Sequence, residues 1–396
     1  MEKVEHPGSR LAWLDTLRVM AGVSILMMHA ASGPDGQPFP GIEPDGRTLT
    51  VILNTVFYTA RTELFMCISL FVLLRSQDRK PLPYGETTAS YARRLLVPFV
   101  FWVCVYAAGN MFKAWNLNYS QYLWRDWKYT EEWLGYFLLG DVKLHMHFLP
   151  TLFALVLMYP VYRIAIRYPW LGLLAIPLIL GRHELNLYVY GNFYEDETAV
   201  QYLIRASRIV TCTAYGFVAA ACWGILKQAP ALWIRRTILW TMTVGFVALA
   251  SIKVMQAMAI IETGNWQYNY PNAWVANLAM PAMLFVIVML APIPWPTWIS
   301  RIAPYSFGIY LVHPLALDIC LLVVGKEVSN PSLYVVSKMA FTLAFSVALT
   351  VFLSRQKYLA WMVGLGAMHS AKAKAKSADR QGPLVGAPTG TATQTA

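Results

Sequence analysis

The sequence predicts an all-α polytopic membrane protein: a bundle of about ten transmembrane helices with both termini in the cytoplasm. Hydrophobic residues make up 57% of the 396 positions and charged residues only 13%, which is too little charge to cover a soluble surface of this size. Long apolar runs recur along the whole chain, and basic residues gather in every second loop between them. These three observations indicate a chain that crosses a bilayer many times.

Ten apolar runs are candidates for spans, since a transmembrane helix needs roughly 20 mostly apolar residues. The predicted spans cover about 12–31, 55–75, 95–112, 145–163, 168–182, 206–226, 236–257, 273–291, 303–323 and 333–354. The fifth is the weakest, because Pro169 and Pro177 interrupt it. We therefore expect an N-terminal cytoplasmic segment over 1–11, a ten-helix membrane domain over 12–357 and a disordered basic cytoplasmic tail over 358–396.

The distribution of charge orients the predicted spans. Lys and Arg lie in alternate loops and after the last span, whereas the other loops are acidic or mixed. The positive-inside rule places the basic loops and both termini in the cytoplasm. The same distribution accounts for the formal net charge of +11 without a basic patch of groove size. We expect the lipid bilayer, and no nucleic acid, as a partner.

The first predicted span, Trp13–Ala31, carries Asp15, Arg18 and His29 within its apolar sequence. On a helix with about 100° per residue, Arg18 and His29 lie within about 20° of each other and about 16 Å apart along the axis. An Arg in the centre of a span costs about 3 kcal/mol, so this face must point into protein or water. We interpret it as the wall of a reaction channel.

Two predicted outer segments are rich in Trp, Tyr and amide side chains: Trp115–Trp133 and Glu262–Trp274. Such side chains collect at the membrane interface, and they also form good surfaces for sugar rings, so both interpretations stay open. His145 and His147 form a His-x-His pair, but no further cluster of ligands accompanies them, and we expect no metal site.

Five segments together resemble the membrane acyltransferase 3 family, which O-acylates bacterial surface glycans. They are Asp15-Thr16-Leu17-Arg18 followed by His29, Glu63-Leu64-Phe65-Met66-Cys67-Ile68-Ser69, Tyr91-Ala92-Arg93-Arg94-Leu95-Leu96-Val97-Pro98, Leu144-His145-Met146-His147-Phe148-Leu149-Pro150 and Ser306-Phe307-Gly308-Ile309-Tyr310-Leu311-Val312-His313-Pro314. The resemblance covers nearly all of residues 10–355. Two positions depart from the family pattern: Leu70 stands where Gly is expected, and His147 where Trp is usual.

The resemblance implies an acyltransferase of the bacterial inner membrane. Its donor would be acyl-CoA from the cytoplasm, with acetyl as the expected group, and no cofactor would be bound permanently. Its acceptor would be a hydroxyl of an exported exopolysaccharide or of its lipid-linked precursor, with polysaccharide synthesis or export proteins as candidate partners. The alternative is a multi-span transporter or flippase of glycan or lipid intermediates, which would move its substrate without forming an ester.

Transfer to a hydroxyl needs a base whose pKa lies near neutral pH, and His29 is the natural choice. His29 would act as the general base or carry the acyl group itself. Arg18 would line the donor channel, and Glu63 would either orient the imidazole or pair with Arg61. Arg93 and Arg94 would bind the phosphates of coenzyme A, or only anchor the third span at its cytoplasmic end.

Three further residues are candidates for substrate binding. Asp15 lies beside Arg18, about 60° away around the first helix. Tyr310 and His313 lie three residues apart, on one face of the ninth predicted span. For these two, a hydrogen bond between the side chains in the core is the other interpretation.

Overall fold

In the computed structural model, which describes residues 11–143, 145–324, 328 and 330–366, the described chain consists of helices and loops without strands. Its α-helices are α1 (Ala12–Ala30), α2 (Pro44–Phe57), α3 (Thr62–Arg79), α4 (Tyr84–Asn116), α5 (Ser120–Asp126), α6 (Thr130–Leu134), α7 (Phe148–Leu157), α8 (Tyr159–Arg167), α9 (Ala175–Phe193), α10 (Glu197–Gln228), α11 (Leu232–Thr263), α12 (Ala273–Leu290), α13 (Ser306–Val324) and α14 (Pro331–Arg355). The predicted all-α class is therefore confirmed.

Helix α1 lies at the centre of the bundle, where it contacts α2, α3, α12, α13 and α14. Leu17, Ala21 and Leu26 are fully buried in these contacts. The buried part of α1 includes Asp15, so this charged side chain does not face lipid, where a charge would be costly.

The predicted number of about ten spans is not confirmed. Within the described residues, seven helical stretches are long and apolar enough to cross a membrane, and the pair α7 and α8, bent by 62°, makes eight if it is one span. The seven are Pro44–Arg79, Tyr84–Asn116, Glu197–Gln228, Leu232–Thr263, Ala273–Leu290, Ala303–Val323 and Pro331–Arg355. Helix α1 is outside this set, since Asp15, Arg18 and His29 interrupt its apolar sequence. The orientation of the termini stays a prediction.

The predicted fifth span over 168–182 differs from the structure. Pro169–Leu174 forms a 3₁₀-helix, and α9 then continues to Phe193, eleven residues beyond the predicted end. Proline is well suited to a first helical position, and short 3₁₀ turns are common where a helix begins. Helix α9 carries Arg182 and His183, which makes it less apolar than a span that faces lipid.

The predicted boundary at residue 357 also needs correction. Ala360–Val363 forms a 3₁₀-helix, and the Val363 side chain is fully buried. The indole nitrogen of Trp102 donates a hydrogen bond to the Met362 carbonyl at 2.8 Å. Apolar side chains therefore pack this segment against the bundle. Two other predicted parts lie outside the described residues, namely the rest of the tail over 367–396 and the N-terminal segment up to residue 10.

Candidate active site

A cavity of about 750 Å³ lies beside the C-terminal end of α1. Its polar and aromatic lining comes from several helices and loops: His29, Ser32, Asn54, Thr55, Tyr58, Arg61, Thr62, Glu63, His145, His147, Arg182, His183, Asn186, Arg208, Lys253, Gln256, Trp266, Gln267, Tyr268, Trp274 and Asn277. Pockets of roughly 300–1,000 Å³ hold small molecules, and a wall that mixes aromatic faces with hydrogen-bonding groups suits a sugar ring.

His29 lies in the last turn of α1, and its imidazole is part of the cavity wall. Its ring stacks on that of His313 with centroids 5.5 Å apart and an interplanar angle of 25°. His145 approaches His313 from another side, with ring centroids 5.0 Å apart. The three imidazoles are near neighbours, but the described residues contain no group of three or more His, Cys, Asp and Glu side chains arranged to hold a metal ion.

His313 has a defined orientation behind His29. Its Nδ1 lies 2.7 Å from the Tyr310 carbonyl oxygen, so this nitrogen carries a proton and donates it there. The buried Nε2 has no hydrogen-bond partner among the described residues. Because one hydrogen bond fixes the ring plane, His313 presents a fixed face to the His29 imidazole.

The loop that carries His145 is fastened to α13. The Tyr310 hydroxyl donates a hydrogen bond to the His145 carbonyl. Two residues earlier, the Lys143 ammonium binds Asp318 at 2.5 Å, and Lys113 of α4 binds the same carboxylate at 3.1 Å. Burial lowers the pKa of the Lys143 ammonium, and the Asp318 carboxylate opposes that shift. These contacts hold the loop so that the His145 ring stays against the ring of His313.

Lys338 of α14 fixes the end of α1. Its ammonium donates to the Ser32 carbonyl at 3.0 Å and lies 3.4 Å from the Ser32 hydroxyl oxygen. The Ser32 hydroxyl donates in turn to the His29 carbonyl at 3.3 Å, and the Asn54 amide donates to the Met28 carbonyl at 3.1 Å. Carbonyls at the end of a helix lack partners within the helix, so these side chains satisfy them and hold His29 in place.

Glu63 lies in the first turn of α3 and forms an ion pair with Arg61. Two nitrogen–oxygen distances of 2.9 Å join the guanidinium to the two carboxylate oxygens. The Thr62 hydroxyl donates to the same carboxylate at 3.2 Å, and the guanidinium also lies 4.3 Å from the centroid of the Tyr58 ring. Glu63 and His29 line the same cavity, but no contact joins the carboxylate to the imidazole among the described residues. A role for Glu63 in orienting His29 stays a prediction.

The residues predicted to bind the donor lie away from this cavity. Arg18 pairs with Asp15 at 3.5 Å on α1, and neither residue lines the cavity. Gly22 and Ile25 separate them from His29. A Cβ on Gly22 would lie 3.2 Å from the Ser306 Cβ, so α1 and α13 are tightly packed there. A continuous channel from Arg18 to His29 therefore stays a prediction.

Arg93 and Arg94 are exposed near the start of α4. The Arg93 Nε donates to the Ala89 carbonyl at 3.2 Å. Arg94 and Arg18 both act electrostatically on the Tyr91 hydroxyl, which places these two guanidinium groups in one neighbourhood. The sequence predicted Arg18 in the wall of a donor channel and Arg93 and Arg94 at the cytoplasmic end of the third span, and a role of the three in binding the donor stays a prediction.

Tyr310 and His313 are buried and do not line the cavity. The hydrogen bond between their side chains, one of the two interpretations from the sequence, is replaced by bonds to backbone carbonyls. Tyr310 binds the backbone at His145, and His313 packs against the imidazoles of His29 and His145. Direct contact of either residue with the substrate stays a prediction.

Sequence reasoning missed three cations in the cavity wall, Arg182, Arg208 and Lys253. It also missed Lys338, which binds the cavity residue Ser32. The signal was present, because all four fall inside predicted apolar spans or at the end of one, and an ionisable side chain within a membrane helix is by default a candidate for function. The aromatic segment Glu262–Trp274, noted in the sequence, contributes Trp266, Tyr268 and Trp274 to the cavity wall, and the ring of His183 stacks on Trp274 with centroids 5.1 Å apart. Whether the segment binds sugar or lies at the membrane interface stays open.

Residues 11–351 match a family model described as "Acyltransferase domain". The match covers most of the chain, from the start of α1 into α14, and it includes the cavity. No curated protein and no solved structure matches the chain.

Proposed function

The chain belongs to the acyltransferase domain family and is a membrane acyltransferase, and we propose that it transfers an acetyl group from acetyl-CoA to a glycan hydroxyl. The acceptor is an exported exopolysaccharide or its lipid-linked precursor. The protein works in a bacterial inner membrane and needs no permanently bound cofactor.

One observation carries this proposal: the His29 imidazole lines a cavity of about 750 Å³ and is held there by a stack of rings and by hydrogen bonds to its own turn of helix. A positioned histidine contributes typically about 10²- to 10⁴-fold to a reaction that moves a proton. The Trp and Tyr side chains of the wall offer faces on which a sugar ring can pack.

The placement of His29 supports the following reaction. A ring nitrogen of His29 takes the proton of the acceptor hydroxyl as the oxygen attacks the thioester carbonyl carbon. The new C–O bond forms, the C–S bond breaks, and the coenzyme A thiolate takes up a proton from the imidazolium. In the second route the neutral His29 nitrogen attacks the thioester carbonyl carbon, and the C–S bond breaks to release the coenzyme A thiolate. The acceptor oxygen then attacks the acyl carbon, the C–N bond breaks, and the proton of the hydroxyl passes through the freed imidazole to the thiolate.

Arg18 and Arg94 lie near the same Tyr91 hydroxyl, and with the adjacent Arg93 they support binding of the donor at the opposite end of α1 from His29. Guanidinium groups bind phosphate oxygens through paired hydrogen bonds, and coenzyme A carries three phosphates. The donor's flexible arm would then extend along α1 toward His29, over a distance of about 16 Å.

The test is the rate at which purified protein forms an ester from radiolabelled acetyl-CoA and a polysaccharide acceptor. We expect His29→Gln to lower this rate by about 10³-fold, since the glutamine keeps a polar side chain but removes the base. The control is Tyr188→Gln, which replaces an exposed aromatic ring of α9 that does not line the cavity and should change the rate little. A His29→Gln variant as fast as wild type, at equal protein level, would contradict the proposal.

A second measurement separates the two routes. Wild-type protein is mixed with labelled acetyl-CoA in the absence of acceptor, and the protein is isolated and counted. Label bound to protein through a histidine, and lost in His29→Gln, indicates the carrier route, whereas unlabelled protein with full transfer activity indicates the base route.

A further inference from the structure

The cavity wall carries more cationic than anionic side chains. Among the described residues that line it, four are cationic and one is anionic, namely Arg61, Arg182, Arg208, Lys253 and Glu63. Glu63 is fully engaged by Arg61, so the three other cations have no carboxylate of the protein within the wall. Such an excess inside a membrane protein is costly unless another anion balances it.

Lys253 is buried, and no acidic residue in the described part of the chain forms a salt bridge with it. Its exposed fraction is 8%, its ammonium donates to the Gln256 side-chain oxygen at 2.5 Å, and it lies 4.6 Å from the centroid of the Tyr58 ring. The Gln256 amide donates to the Gln267 carbonyl at 2.6 Å, which fixes the glutamine. The amide and the aromatic ring stabilise the ammonium but leave its charge uncompensated.

Arg182 of α9 and Arg208 of α10 lie at the same cavity and are close enough to repel each other. No salt bridge joins either to an acidic residue in the described part of the chain, and the Nε of Arg208 is buried without a hydrogen-bond partner. Their neighbour Arg205 differs, because it binds Asp141 at 2.9 Å and does not line the cavity. Of the three guanidinium groups in the cavity wall, that of Arg61 has a carboxylate partner, whereas those of Arg182 and Arg208 form no salt bridge among the described residues.

We propose that this cluster of Arg182, Arg208 and Lys253, termed the cationic cluster, binds an anionic group of the acceptor. The acceptor is then an acidic glycan, whose carboxylate or phosphate lies against the cationic cluster while one of its hydroxyl groups reaches His29. Guanidinium groups suit this task, because their paired donors match carboxylate and phosphate oxygens. The inference rests on the proposed function, since it names the substrate class of the same cavity.

The first test measures binding alone, by titration calorimetry on purified full-length protein without any donor. Three probes are compared: an oligosaccharide of glucuronic acid, the same oligosaccharide with its carboxyl groups reduced to alcohols, and a neutral sugar linked to polyprenyl diphosphate. We expect the first or the third to bind at least about 10-fold more tightly than the reduced oligosaccharide, because hydrogen bonds between charged groups are the strong ones. The probe that binds identifies carboxylate or phosphate as the source of the anion.

The second test removes the charges. In the double variant R182Q/R208Q we expect the affinity for the anionic probe to fall about 10-fold or more, with the affinity for acetyl-CoA unchanged. R182K/R208K keeps the charges and should retain much of the affinity. The matched control is R163Q/R236Q, which removes two exposed positive charges that do not line the cavity. Equal elution profiles in gel filtration establish that each variant is folded.

The outcomes separate this inference from the proposed function. If neither anionic probe binds better than the reduced oligosaccharide, or if R182Q/R208Q weakens acetyl-CoA binding instead, the cationic cluster does not hold an acidic acceptor and the inference is wrong. If the anionic probe binds through the cluster but no ester forms with acetyl-CoA, the anion site stands and the proposed transfer reaction fails.

Discussion

Two of the residues that hold the His29 imidazole in place, His313 and Lys338, do not themselves line the cavity. His313 stacks on it, and His313 is fixed by its own bond to the Tyr310 carbonyl. Lys338 holds the end of α1 through Ser32. The chemistry at His29 therefore depends on positioning residues one layer behind it, which resembles the way an oriented base is built in other enzymes.

A substitution at His313 tests that dependence. Phenylalanine keeps an aromatic ring against His29 but cannot donate to the Tyr310 carbonyl, so His313→Phe should lower kcat by about 10-fold or more and leave KM for the acceptor nearly unchanged. The measurement is steady-state ester formation with varied acceptor. The control is Tyr162→Phe, which alters a fully buried ring away from the cavity. An unchanged kcat, or an equal loss in both variants, would show that His313 only fills space.

The pairing of Glu63 with Arg61 makes a prediction about stability. Breaking a buried pair leaves one charge uncompensated and costs about 3 kcal/mol, so Glu63→Gln and Arg61→Gln should each lower the unfolding midpoint clearly. The double variant should lose less than the sum, because it removes both charges. Thermal unfolding in detergent measures all three. Additive losses would mean that the two side chains do not stabilise each other.

The exposed pair of Arg125 and Asp126 provides the control for this cycle. Its nitrogen–oxygen distance of 3.1 Å is similar, but both side chains are more than a third exposed. Surface pairs contribute about 0–1 kcal/mol, so Asp126→Asn should barely change the midpoint.

At the scale of elements, the loop between α6 and α7 depends on one glycine. Gly140 has φ of +76°, and a Cβ there would lie 2.6 Å from the His147 backbone nitrogen. The left-handed conformation disfavours any L side chain, and here the backbone leaves no room as well. This turn starts the loop that brings His145 to His313.

The matched comparison is Gly140→Ala against Gly36→Ala. Gly36 has nearly the same φ, +78°, but a Cβ there would meet nothing within 4 Å. Both variants carry the left-handed penalty of about 1 kcal/mol, and only Gly140→Ala must also displace the His147 backbone. We expect the larger drop in unfolding temperature and in transfer rate for Gly140→Ala. Equal effects would mean that the close approach at Gly140 has no consequence.

The elements also show what the sequence could and could not predict. Apolar runs located α10, α11, α12 and α14 well, because a long hydrophobic stretch in a membrane has few alternatives to a helix. The bend between α7 and α8 at Met158 is not visible in hydropathy, although Pro160 follows it and disfavours a straight helix. The helix α9 was misplaced because its polar residues face the cavity, and hydropathy alone cannot anticipate a cavity.

Part of the site was also predictable from the sequence. Helical spacing placed Arg18 and His29 on one face of α1, and the five motifs pointed to His29, Tyr310 and His313. Sequence spacing could not show that Gly22 packs against Ser306 between the two polar ends. Nor could it bring Arg182, Arg208 and Lys253 together, because they lie on three helices whose arrangement is set by tertiary packing.

At the scale of the whole molecule, the direction of insertion is the main prediction. The basic loops should face the cytoplasm, which places the loop after α4 on the far side and the start of α11 inside. The test uses right-side-out vesicles and a chain whose five native cysteines are changed to Ala, into which one new cysteine is introduced. A membrane-impermeant maleimide should label Lys128→Cys at once. Arg236→Cys should react only after the membrane is opened. The reverse pattern would contradict the predicted orientation and place His29 at the cytoplasmic end of α1.

The most direct test of the central claim, that acyl transfer takes place at His29, is affinity labelling with bromoacetyl-CoA. This donor analogue carries an electrophilic carbon where the transferred acyl group lies, so it alkylates a nucleophile at the point of transfer, and mass spectrometry of the digested protein locates the label. The account predicts that His29 is alkylated and that excess acetyl-CoA prevents the reaction. Label on a residue outside the cavity, such as the exposed Cys104, or label on His29 without protection by acetyl-CoA, would contradict it.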